Sequence, residues 1–169
     1  MNETASPSEL REHLLSLLKS FRTAMLVTHA DTGHLHARPM AIADVTDDGR
    51  VWFVTGADTT KTREIQTDFH VDLICSNDSS AFLSLSGRAS LVRDRQRIAE
   101  LWREPFRIWF PGGKSDPSLE LIAVRPERGE FWDNTGLNRC KYIWEAAKAY
   151  LTRTKPATHE DDLHATVTL

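Results

Sequence analysis

Residues 24–55 read AMLVTHADTGHLHARPMAIADVTDDGRVWFVT, and this stretch decides the fold. Short apolar runs alternate with turn chemistry. Ala24 to Thr28 reads as a strand, Asp31-Thr32-Gly33 as a turn, and His34 to Val45 as a second, longer strand. Asp47-Asp48-Gly49 is a hairpin signal ahead of a third strand, Val51 to Thr55. Tight turns between consecutive strands predict an antiparallel meander. Strands do not alternate with helices and no glycine-rich phosphate loop follows the first strand, which argues against a parallel doubly wound sheet.

Upstream, Ser6-Pro7-Ser8-Glu9 is a helix start: Ser6 can cap, Pro7 fits the first helical position, and Glu9 completes a capping box. Leu10, Leu14, Leu17, Leu18 and Phe21 follow at helical spacing, so a helix is predicted over about 7–21. Downstream, Thr59 to Asp68 reads as a short helix, and His70 to Ser76 and Ala81 to Val92 as strands, the latter with alternating faces. Asp94 can cap a helix running to about Arg103. A Pro- and Gly-rich loop spans Pro105 to Pro117. Leu119 to Val124 and Glu130 to Asp133 read as the last strands, Lys141 to Thr152 as a terminal helix, and residues 154–169 as a polar, mobile tail. The expected organisation is one domain over 1–153. The fold class is α+β, mainly β with flanking helices: an antiparallel, Greek-key-like barrel whose closure removes exposed sheet edges.

The chain has 169 residues and a formal net charge of −3, which argues against general nucleic-acid binding. No apolar run is long enough to span a membrane, and the first ten residues lack a signal-peptide core. Its two cysteines, Cys75 and Cys140, form no CxxC pair. A reducing, cytoplasmic setting is therefore expected.

Arg38 sits in the second strand, and Lys61 opens the helix after the third, beside Thr59 and Thr60. If the hairpin brings those strands together, both cations reach one point with two hydroxyls and a helix N-terminus. A guanidinium fork, a point charge and a favourable dipole are what a phosphate monoester needs. The same residues also fit solvated surface charges. Arg38-Pro39-Met40 places a proline within a strand, at an edge or bulge where a flat ligand could meet freed backbone. Trp52, Phe53, Trp102, Trp109, Phe110 and Trp132 could flank a tricyclic ring or serve plain core packing. His29, His34 and His36 invite a metal reading, but no carboxylate or cysteine stands at a familiar ligand spacing, so surface histidines are expected and no metal site is assigned. Cys75 is expected as a buried strand residue rather than a nucleophile. No residue is singled out as catalytic.

Taken in order, Met25-Leu26-Val27-Thr28, Ala37-Arg38-Pro39-Met40 and Val51-Trp52-Phe53-Val54-Thr55 with Lys61 resemble the FMN-binding half of the pyridoxamine 5′-phosphate oxidase-like split barrels. Leu85-Ser86-Gly87-Arg88-Ala89, Leu101-Trp102, Ile108-Trp109-Phe110-Pro111-Gly112-Gly113, Asp116-Pro117 and Glu130-Phe131-Trp132-Asp133 resemble the general-stress-protein branch. The resemblance implies a homodimer with FMN at the subunit interface. Arg38, Lys61 and Thr60 would hold the phosphate. Pro39, Met40, Ala41, Val54 and Thr55 would line the isoalloxazine. Trp109 and Phe110, or residues near Phe82 and Ser84, would close the site from the partner. The ordered cofactor-like motifs favour flavin-dependent redox chemistry; the lack of an obvious acid, base or substrate pocket in the sequence favours a non-catalytic flavin sensor or reservoir; a related ligand in the same barrel, such as a deazaflavin or, through the histidines, haem, is the third alternative. The oxidases' terminal Arg and His are missing, with Ile143-Trp144-Glu145-Ala146-Ala147-Lys148 near the end instead, which argues against vitamin B6 oxidation. Thr60-Lys61 stands where those enzymes carry an Arg-Lys pair, so the phosphate would meet one fewer positive charge.

Overall fold

Ser6 caps the first helix, α1 (Pro7–Ser20), as its sequence predicts. Its hydroxyl accepts from the Glu9 N–H, and the Glu9 carboxylate accepts from the Ser6 N–H. This is seen in a computed structural model of the chain, which describes residues 6–77, 81–133 and 164–168. Leu14 and Leu18 of α1 are fully buried and plug the barrel interior.

β1 (Thr23–His29) and β2 (Leu35–Ala41) form a hairpin in which Thr23 faces Ala41 and His29 faces Leu35. Gly33 supplies the left-handed turn residue at φ +82°. The second strand does not continue to Val45. The Ile42 N–H bonds Arg22 O, then the Ala43 N–H bonds Trp52 O, so the chain changes partner there. β3 (Asp44–Val45) pairs with β4 (Val51–Gly56). The expected meander is corrected as well: β2 stays on β1, while β4 takes β7 (Leu119–Asp133) as its other neighbour. Burial gives the reason. Val51, Trp52 and Phe53 are buried in succession, so β4 needs cover on both faces, whereas β2 is largely exposed and carries Pro39.

The remaining elements are α2 (Thr60–Thr67), β5 (His70–Ser76), β6 (Ala81–Val92), α3 (Arg95–Leu101) and β8 (His164–Thr168). The strands form one eight-stranded antiparallel sheet in the order β2-β1-β5-β6-β7-β4-β3, with β8 also on β7. The sheet curls into a half-barrel, so β2 and β4 approach each other despite lying far apart in that order. The inner core joins Leu14, Leu18, Leu26, Phe53, Leu73, Leu83 and Leu85. A second cluster, under α3, joins Trp52, Ile98, Leu101, Leu119 and Leu121. Asp94 caps α3 by accepting from the Gln96 and Arg97 N–H groups at 2.9 and 3.1 Å. Asp94→Ala is expected to lower stability by about 1 kcal/mol in thermal melts, the usual cost of a lost cap.

Two expectations fail near the end of the chain. The strands predicted at 119–124 and 130–133 are one 15-residue strand, β7. Between the two predicted runs the strand carries a bulge. Gly87 of β6 faces Pro126 while Ser86 faces Arg128, leaving Glu127 over. Pro126 is tolerated because it falls between the two partners on that side of β7: β4 pairs as far as Val124, and β8 begins opposite Arg128. The tail expected to be mobile contains β8, which pairs with β7 and buries Val167 in the inner core. The predicted helix at 141–152 lies outside the described residues. Two short 3-10 turns, Glu104–Ile108 and Gly113–Ser115, occupy the Pro- and Gly-rich loop. No helix among the described residues is long and apolar enough to cross a membrane.

Candidate functional site

Arg38 lies close enough for its charge to act on Lys61, though the predicted hairpin is not what brings them near. The curl of the sheet carries β2 towards the β4–α2 turn. Lys61 stands in the first turn of α2, whose cap is Thr59, accepting from the Thr62 N–H at 3.4 Å. Asp58, just before the cap, holds φ at +58°, and its carbonyl accepts from Arg63 Nη1 at 2.9 Å. This tight turn presents the exposed Thr60 and the leading N–H groups of α2, which helix geometry leaves without intrahelical partners. Burial holds the Lys61 ammonium below the ordinary lysine range, and the charge of Arg38 lowers it further. No carboxylate among the described residues pairs with it. Lys61 thus bears both a burial cost and the repulsion of Arg38, and an anion at the head of α2 would relieve both.

The sequence reading missed the third member of this cluster. Glu64, one turn beyond Lys61 on α2, is only 8% exposed. Its Oε2 accepts from Arg38 Nη2 at 3.0 Å and from the Thr28 hydroxyl at 2.5 Å. Its Oε1 lies 2.5 Å from Nδ1 of His36. Arg38 Nη1 also donates to Thr28 Oγ1, and to Leu26 O at 3.4 Å. Burial alone would push the Glu64 carboxyl up. Hydrogen bonds from Thr28, His36 and Arg38, with the guanidinium charge, outweigh it and hold the group below its ordinary 4.5. The available signal was the i, i+3 spacing of Lys61 and Glu64, which puts both on one helix face.

Pro39 and Ala41 are exposed on the edge strand β2, and Met40 packs against the inner core. Thr55 is buried, and Val54 packs on the second cluster. Phe110 is half-buried in its own chain, its ring 3.6 Å from where a Cβ on Gly56 would stand. Trp109 is 70% exposed. The histidines do not converge. His36 is tied to Glu64, and His29 Nδ1 lies 3.7 Å from Asp68. No group of three metal-ligating side chains occurs among the described residues. Cys75 is buried and its thiol is pushed up to about 12 by burial, the state of a packing residue rather than a nucleophile.

The described clefts, of about 440 and 260 Å³, lie around Ser90 and Glu120 and around Ser84 and Arg128. Beside β2 the outer sheet face carries an apolar row: Pro39 faces Met25, and Met25 faces Ile74. Met25, Ile74 and the nearby Phe82 are all exposed.

An antiparallel half-barrel with a cationic β2–α2 corner defines the split-barrel class. The chain belongs to the pyridoxamine 5′-phosphate oxidase-like family, whose pattern matches residues 9–157, and within it to the general-stress-protein branch. The Neurospora crassa protein bli-3 is 29% identical over 157 residues, covering 86% of this chain and 74% of the relative. A crystal structure of general stress protein 26 from Jannaschia sp. CCS1 superposes with a TM-score of 0.74 at 27% identity, covering 96% of this chain and 99% of that one. The general stress FMN/FAD binding protein from Xanthomonas citri is 31% identical with a TM-score of 0.65, covering 76% of this chain and 92% of that one.

Proposed function

We propose that the protein is an FMN-binding homodimer that acts as a flavin-dependent oxidoreductase on a small molecule. The observation that carries the reading is the meeting of Arg38 with Lys61 at the head of α2. Lys61, Thr60 and the leading α2 amides hold the phosphate, with Arg38 on its flank. The β2 edge of Pro39, Met40 and Ala41, with Val54 and Thr55, lines the isoalloxazine. The cofactor supplies hydride or electron transfer; the chain supplies position and charge. The exposed Met25–Ile74–Phe82 face beside β2 favours a second copy as cover, with Trp109 and Phe110 at the closing edge. The flavin-binding Xanthomonas relative supports the ligand class.

Fluorescence titration tests this directly. FMN is expected to bind, and Lys61→Ala to weaken it by about 2 kcal/mol, the value of a charged hydrogen bond, with riboflavin little changed. Equal losses for both ligands would remove the phosphate role. The variant should melt no lower than wild type, because Lys61 forms no ion pair among the described residues. Anaerobic reduction of the loaded dimer by a nicotinamide cofactor, followed by reoxidation by quinones, nitro compounds or aldehydes, tests the redox part.

A further inference from the structure

Arg38 is not a free fork awaiting a phosphate. Both its terminal nitrogens already donate: Nη2 to Glu64 Oε2 at 3.0 Å, and Nη1 to Leu26 O and Thr28 Oγ1. Glu64 is itself held by Thr28, Arg38 and His36. An incoming phosphate cannot displace this carboxylate cheaply, because a buried charge stripped of its partners is strongly unfavourable. Glu64 therefore stays in place when the corner fills.

The charge balance then decides how tightly the corner can hold a ligand. Arg38 and Lys61 are two cations and Glu64 is one anion, so these three side chains, with a neutral His36 beside them, sum to one positive charge. A phosphate monoester at neutral pH brings close to two negative charges. The filled corner is left with net negative charge, and the Glu64 carboxylate, only 8% exposed, is poorly screened by water. A neutral residue of the same shape would leave it balanced. Glu64 thus has opposing effects: it fixes Arg38 on β2, and it repels the group that Arg38 and Lys61 attract.

We infer that Glu64 makes this an exchangeable flavin site, one that FMN enters and leaves as a diffusible partner rather than occupying as a resident prosthetic group. The inference rests on the flavin reading above and adds to it a residue that limits affinity. Thr60 reinforces the effect, since it brings a hydroxyl and no charge to the phosphate.

The test uses the full chain, wild type and Glu64→Gln. Glutamine keeps an oxygen acceptor for Arg38 and Thr28 and offers an N–H to His36, so the geometry is held while the charge goes. FMN and riboflavin are titrated by fluorescence, ligand-free melts check folding, and the FMN-loaded wild type is passed over a gel-filtration column. Glu64→Gln is expected to bind FMN about tenfold more tightly with riboflavin within twofold, and the wild type to lose its flavin on the column. FMN affinity unchanged or weaker in Glu64→Gln overturns the inference, as does equal tightening of both ligands. Retention of stoichiometric FMN by the wild type also overturns it, even if the variant does not fold, and leaves the flavin reading standing. Wild type and variant both failing to bind any flavin would remove that reading and this inference together.

Discussion

Gly87→Ala is expected to destabilise the fold by about 3 kcal/mol, at the upper end of the cost of overpacking. An added Cβ would stand 2.3 Å from Arg125 O, 2.8 Å from Pro126 Cα and 2.9 Å from the Arg125 carbonyl carbon. All three neighbours are backbone, so no side chain can swing aside. The strand that would have to move is also gripped from behind, since Val51 of β4 pairs with Val124 just upstream. Gly87 is therefore required for space, not for an unusual dihedral: its φ is not positive. Urea denaturation checks the value. A midpoint equal to wild type would mean that the Glu127 bulge can slide to make room.

Arg38→Ala is expected to cost a similar amount, about 3 kcal/mol, because it strands a carboxylate rather than because it deletes a contact. Glu64 is 8% exposed and would keep only Thr28 and His36. The pH dependence carries a defined sign. In the wild type Glu64 titrates below 4.5, so its network contributes stability above that pH and loses it as the pH falls through the lowered value. Without the guanidinium the carboxyl moves up, and protonation relieves the buried charge. The gap between variant and wild type should then narrow as the pH drops below about 4.5, the ordinary value of the group. Adding Glu64→Gln to Arg38→Ala should recover part of the loss at neutral pH. A double variant less stable than Arg38→Ala alone would contradict the stranded-charge account.

The elements that were legible in the sequence are those whose cause is local. The Ser6–Glu9 box, the Asp94 cap and the β6 alternation each depend on residues a few positions apart, and each formed as expected. The pairing of β4 with β7 depends on which faces need cover across about seventy residues of chain, and no spacing rule encodes it. The joining of residues 119–124 and 130–133 into one strand depends likewise on distant partners, β4, β6 and β8. The site divided in the same way. Arg38 and Lys61 stood out as candidates because cations beside a helix start have a known use. Glu64 did not, because a glutamate on a short polar helix looks like solvated surface until the curl of the sheet sets Thr28, His36 and Arg38 around it.

β7 has a kinetic consequence as well. It is the spine of the sheet, and its three partners come from residues 51–56, 81–92 and 164–168. Every ladder on it closes a loop, and those to β4 and β8 span large stretches of chain, so loop entropy is lost before the hydrogen bonds and buried side chains repay it. Such a topology nucleates slowly, on the millisecond-to-second scale of other non-local β architectures. Until the spine is dressed on both sides, its unsatisfied amides are open to strands of neighbouring molecules, which makes the folding interval, not the native state, the period of greatest aggregation risk.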